Sequence, residues 1–222
     1  EGIEEAIKKF QQAVANDPNE ALAYAGLADA YYDQSTIQRA PLEVMPKAKA
    51  AAVRAIEIDD WLAEAHASLG YVKLNFDWDW PGAEREFHRA LELNPNLPRA
   101  HTGYAHYLLT LRRTEEAGEE LNRADSIDPF SGQSHINKAY LLLMARRYPE
   151  AIQAATQLGD DRVIAMSYGE LGRPEEAIAA ADRAVRTARN PVFLAQIASA
   201  YALAGNKNKA RLCSVVWRHK CV

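Results

Sequence analysis

Apolar and small residues recur along this chain at helical spacing. Ala6, Phe10 and Ala13 are separated by four and three positions, and the same spacing returns at Ala83, Phe87 and Ala90 and at Ala117, Leu121 and Ala124. Residues so spaced share one face of an α-helix. A proline follows the last alanine of each copy by five positions, as Pro18, Pro95 and Pro129. The residue before a proline avoids the α region, so each helix is expected to stop there. Looser copies run through Ala48, Ala52 and Ala55 and through Ala177, Ala181 and Ala184. The leading alanines fall at 6, 48, 83, 117, 151, 177 and 210, most often 33 to 35 residues apart.

A second pattern fills the intervals. Its fullest copy is Tyr24-x2-Leu27-Ala28-x2-Tyr31. Shorter ones are His66-x2-Leu69-Gly70, His101-x2-Tyr104-Ala105, His135-x3-Ala139, Ile164-Ala165-x2-Tyr168 and Ile197-Ala198-x2-Tyr201. Each interval therefore predicts a helix with a small residue at its centre, a short turn, and the Ala-x3-aromatic-x2-Ala helix. Two antiparallel helices approach closely only where small side chains meet. A single such pair cannot bury its apolar faces alone, so neighbouring pairs must stack.

The unit of about 34 residues, with aromatic-x2-Leu-Ala-x2-Tyr, then Ala-x3-Phe, then Pro, resembles the tetratricopeptide repeat. The resemblance implies an all-α fold, an α-solenoid of stacked antiparallel helix pairs in a right-handed superhelix. On this register residues 1–18 form a half repeat, and units follow at about 21–62, 63–97, 98–131, 132–159, 160–190 and 191–222, in one array. The wording around Asn16-Asp17-Pro18 and Phe76-Asp77-Trp78-Asp79-Trp80 also resembles the repeat regions of large bacterial signalling proteins. Departures carry expectations too. An insert from Ser35 to Pro46, with Pro41 and Pro46 marking its turn, predicts a longer loop or an extra helical turn. The fourth unit is short and predicts a short second helix ending at Gly159. Asp79 and Pro81 read as the start of a helix, not as a metal site.

Composition narrows the function. The 222 residues carry a net charge of −4, so no basic surplus favours nucleic acid. Two cysteines, Cys213 and Cys221, give neither a disulfide framework nor a zinc pattern. No apolar run has the length of a membrane span. The opening residues read as helix and not as a leader, and the absence of an initiator Met suggests a piece of a longer chain. A cytoplasmic location follows as an expectation. No phosphate loop, dinucleotide fingerprint, zinc-protease motif or nucleophile elbow occurs, so no catalytic residue, metal site or cofactor is expected. His66, His101 and His135 share one repeat position. They read as flat side chains filling an aromatic slot, with no acidic or thiol group placed beside them to complete a metal site.

In the family that this chain resembles, the first helix of each unit lines the concave surface. Carried onto this sequence, the resemblance places a partner-binding groove at Tyr71, Asn75, Arg99, Thr102, His106, Gln133, Ile136, Tyr140, Met144, Arg162 and Met166, with Asp29, Tyr32 and Asp33 nearby. The implied function is a non-catalytic scaffold gripping a peptide or partner domain. An alternative is a sensory module of a multidomain bacterial signalling protein (transcription regulator, cyclase or kinase); an RNA-reading array is disfavoured by the acidic balance. The family's carboxylate clamp is not expected, because Ala25 and Asp29 stand where its first polar pair belongs. Homo-oligomers are expected to form, if at all, through exposed solenoid ends, with Ile3, Ile7 and Phe10 of the unpaired first helix facing another copy.

Overall fold

A computed structural model describes residues 2–37, 40–129, 132–188 and 191–213. Among these the secondary structure is helical and contains no strand. The helices are α1 (Gly2–Asn16), α2 (Ala21–Ile37), α3 (Pro41–Ile58), α4 (Ala63–Val72), α5 (Trp80–Leu93), α6 (Pro98–Thr110) and α7 (Thr114–Ile127). They continue as α8 (Gly132–Met144), α9 (Tyr148–Leu158), α10 (Asp161–Glu170), α11 (Pro174–Thr187) and α12 (Pro191–Leu203), with a last helical segment over 207–213. Two compact units emerge. The first comprises 1–111 with 119–129, the second 112–118 with 130–222.

In the first unit α2 pairs with α3 and α4 with α5, while α2, α4 and α6 lie side by side. In the second, α8 pairs with α9 and α10 with α11, and α10 contacts both α8 and α12. The leading alanines 48, 83, 117, 151 and 177 are all fully buried. Glycine takes this small-residue role to its limit. A Cβ on Gly70 of α4 would stand 2.7 Å from the Phe87 ring, and one on Gly103 of α6 only 2.3 Å from it. Phe87 is 0% exposed, so its ring is wedged between its own hairpin and the next. Phe10 of α1 meets Gly26 of α2 in the same way, at 2.4 Å. The first helix is thus not unpaired: Ile7 is buried, and Ile3 and Phe10 pack into the cluster around Leu27 and Ala28. Ile3 and Phe10 remain half-buried at this end of the first unit.

The connections repeat as faithfully as the helices. Asp17, Asp59 and Asn94 each accept a hydrogen bond from the backbone N–H two residues on, which shapes the turns leading into α2, α4 and α6. Arg113, Arg147 and Arg173 each pair with the glutamate three residues later, at the starts of α7, α9 and α11. Asp79 caps α5 by accepting from the Gly82 N–H at 3.0 Å, with Pro81 in the first turn. The fourth unit's second helix, α9, has 11 residues and ends at Gly159, whose φ of 68° only glycine adopts freely.

The insert corrects one expectation. Pro46 does not mark a turn: it lies inside α3, while Pro41 opens that helix. The extra residues lengthen α2 to 17 residues and α3 to 18. Pro46 is on the exposed side of α3, where a carbonyl freed of its intrahelical bond can reach water.

Gly103→Ala forces a methyl into the Phe87 ring and destabilises the chain by about 1–3 kcal/mol, in excess of the helix propensity alanine gains. Urea denaturation checks this, and Phe87→Leu in the same chain should recover part of the loss. Arg112 and Arg146 sit at φ 60° where Gly172 and Gly205 stand in later units. Arg146→Gly should therefore raise stability by about 0.5–1 kcal/mol, read from the same unfolding midpoints.

Candidate functional site

The residues expected to form a groove fall into two groups, one in each unit. In the first unit, α2, α4, the π-helical segment Lys73–Asp77 that continues α4, and α6 bring Asp29, Tyr32, Asp33, Tyr71, Asn75, Arg99 and His106 together. Arg99, from α6, reaches across to α2: its Nε lies 3.0 Å from Asp29 Oδ2, and Nη2 lies 3.9 Å from Asp33 Oδ1. Its guanidinium carbon is 4.8 Å from the Tyr71 ring centroid and 5.7 Å from that of Tyr32. Neither Nε nor Nη2 makes a well-directed hydrogen bond, so charge and ring contacts hold the group. Asp29 is fixed from α4 as well, by the Ser68 hydroxyl at 2.5 Å. Asn75 donates to the Tyr32 hydroxyl at 3.1 Å and to the Tyr71 carbonyl. Tyr71 meets Phe87 edge-on at 5.5 Å and His106 at 6.2 Å.

Burial shapes the electrostatics. Desolvation raises the Asp29 and Asp33 carboxyls against the pull of Arg99. It also pushes Tyr32 up to about 12 and Tyr71 higher still, so both remain neutral phenols at ordinary pH. Burial works against the Arg99 cation, but Asp29, Tyr71, Asp33 and Tyr32 together outweigh it and raise the group.

Accessibility divides the set. Tyr71 is 5% exposed and Thr102 8%, so both support the face from below and offer almost no surface to a partner. Asn75 is exposed, His106 is half-buried, and the side chain of Arg99 is 29% exposed.

In the second unit Tyr140 and Met166 are half-buried against the core, and Met144 is exposed. Arg162 is held locally. Asp160 takes its Nε and Nη2 at 3.0 and 2.7 Å, Gln196 of α12 takes Nη1 at 3.3 Å, and its guanidinium stacks on Phe193 at 3.5 Å. Arg162 thereby ties α10 to α12. The side chains of Gln133, Ile136 and His135 lie outside the described residues.

The histidines correct a second expectation, since acidic groups do stand beside them. His66 Nδ1 lies 2.8 Å from Glu86 Oε2, and His101 Nδ1 lies 2.6 Å from Glu120 Oε2. The separations, 20 and 19 residues, were visible in the sequence. Among the described residues no group of three His, Cys, Asp or Glu could hold a metal ion.

Family comparison places tetratricopeptide repeats at residues 1–55 and 79–132, with a further one at 163–191. Among solved structures, a tetratricopeptide repeat protein from Parabacteroides merdae ATCC 43184 is similar over 99% of this chain and 87% of its own, at 14% identity and TM-score 0.68. Pseudomonas aeruginosa pilF is similar over 99% of this chain and 93% of its own, at 18% identity and TM-score 0.57. A chain of the APC/C hetero-tetramer Cut9–Hcn1 reaches TM-score 0.71 at 12% identity, over 99% of this chain and 45% of its own. At these identities the likeness concerns the fold. No curated protein sequence matches.

Arg99→Leu should destabilise the chain by about 2 kcal/mol at pH 7, because it leaves Asp29 partly buried beside Asp33 without a cation. The loss should shrink as the pH falls, because the raised Asp29 carboxyl takes up a proton more readily than an exposed one. Urea titrations of both proteins at pH 7 and pH 4.5 measure the difference.

Proposed function

The chain belongs to the tetratricopeptide repeat family, and from that membership we propose that it is a non-catalytic scaffold that grips a peptide or partner domain. The gripping face in this reading is the one formed by α2, α4 and α6. One observation carries it: side chains 29 to 106 in the sequence converge there into a single aromatic and charged surface around Arg99. The half-buried Tyr32 ring gives contact area at low entropic cost, and buried Tyr71 with the Arg99 ion pairs fixes the face from below before a partner arrives. The similar fold in the Cut9–Hcn1 assembly is an instance of such a chain within a protein complex. In the second unit, Tyr140, Met144 and Met166 are proposed as a contact surface of their own, where adaptable Met side chains suit variable ligands. Fold alone does not assign a partner, so the reading rests on this surface.

Among the described residues no helix is long and apolar enough to cross a membrane. The proposed location is the cytoplasm, consistent with a buried, free Cys213.

A displayed peptide library selected against the intact chain tests the proposal. Selected peptides should bind Asn75→Ala at least tenfold more weakly than the parent, while Arg85→Ala, on the exposed side of α5, should bind unchanged. Failure to select any peptide, or equal affinity for all three proteins, contradicts it.

A further inference from the structure

His66 and His101 occupy equivalent places in successive hairpins, and both ring nitrogens of each are engaged. His66 Nδ1 faces Glu86 Oε2 at 2.8 Å, and Nε2 faces the Asp60 carbonyl oxygen at 3.1 Å. His101 Nδ1 faces Glu120 Oε2 at 2.6 Å, and Nε2 faces the Pro95 carbonyl oxygen at 2.8 Å. A backbone carbonyl only accepts. A carboxylate only accepts while it is ionised, and a neutral imidazole has one N–H to donate. A second cation stands at each carboxylate: Lys73 Nζ lies 2.6 Å from Glu86 Oε1, and Arg123 pairs with Glu120 Oε1. Two obligate acceptors on each ring therefore require two N–H donors.

We propose that His66 and His101 are a matched pair of proton-held latches: each is an imidazolium in the folded chain, and loss of its second ring proton frees the turn that joins one hairpin to the next. The released contact is the one at Nε2. A neutral ring keeps its proton toward the carboxylate, where the bond is charge-assisted, and turns a lone pair to the carbonyl of Asp60 or Pro95. Those carbonyls sit in the α3–α4 and α5–α6 turns. The latches thus act where α4 and α6 enter the stack that carries Arg99 and Tyr71. The inference does not depend on the peptide-binding reading.

The surroundings agree in direction. The charged groups facing His66 are Asp60 in the α3–α4 turn, with Oδ1 at 3.7 Å, Glu86 on α5, and Lys73 across the Glu86 carboxylate. Burial disfavours the His66 cation, but the bonds to Glu86 and the Asp60 carbonyl outweigh it and raise the ring above its ordinary value. Glu120 and Arg123 on α7 face His101; the Glu120 bond dominates and raises it, against burial and the Arg123 charge. Glu86 is lowered in turn: burial opposes this, but its bonds from His66 and Lys73 prevail.

The sign follows. A histidine raised on folding contributes stability that is fully present below the unfolded value of about 6.5 and is lost as pH climbs through the folded value. Each unit of elevation corresponds to about a tenfold fall in the folding constant across that window.

Nitrogen-15 NMR of the histidine rings in the intact chain tests the proposal without any substitution. At pH 7 both rings should be predominantly protonated on Nδ1 and Nε2, which requires both midpoints to lie above 7. Glu120→Gln should bring the His101 midpoint down and leave that of His66 unchanged. Urea denaturation from pH 6 to 9 adds a second readout. The folding constant of the parent should fall relative to that of His66→Phe/His101→Phe, whose rings still fill the two slots. A neutral tautomer at either ring at pH 7, or identical pH profiles for the parent and a folded double variant, overturns it.

Discussion

The distance at which two helices pass each other is set by what stands between their backbones, and here it is often a methyl group or less. Phe87 touches the bare backbone of Gly70 on one side and that of Gly103 on the other. One side chain thereby fixes the spacing inside a hairpin and the spacing between hairpins. The buried alanines at the leading position of the second helices do the same with a Cβ in place. Helices so spaced lose little conformational freedom beyond the backbone, since alanine and glycine have no rotamers to surrender. The tolerance for change at these positions is correspondingly small.

Charged groups are set into this frame by the same repeated geometry. Arg99 reaches Asp29 because α2 and α6 flank α4 closely enough for one long side chain to span them. The two His–Glu pairs recur because equivalent residues of successive hairpins meet equivalent neighbours. In the second unit Asp160, Arg162, Phe193 and Gln196 make the corresponding tie between α10 and α12. A pattern that began as apolar spacing thus ends by placing polar side chains in register, and the aromatic face around Arg99 is one outcome.

Much of this was legible in the sequence, for a physical reason. Small residues and helix-ending prolines act locally, so Ala83-x3-Phe87-x2-Ala90 and Asn94-Pro95 announce a helix and its end without knowledge of the fold. The cap at Asp79 and the short α9 before Gly159 belong to the same class. What escaped depended on contacts between helices. Glu86 is 20 residues from His66 and appears unrelated until α4 and α5 lie antiparallel. Tyr71 and Thr102 carry a surface register but are overgrown by their neighbours. Pro46 reads as a breaker, yet an exposed position in α3 absorbs it. Phe10 looks unpaired only if α1 is imagined without Gly26.

Native-state hydrogen exchange of the intact chain addresses the wedge most directly. If Phe87 couples α4 and α5 to α6 through Gly70 and Gly103, the slowest amides of these three helices open together, with one common free energy and one denaturant dependence. Exchange of α6 through an opening separate from that of the α4–α5 hairpin would show that the ring does not join them.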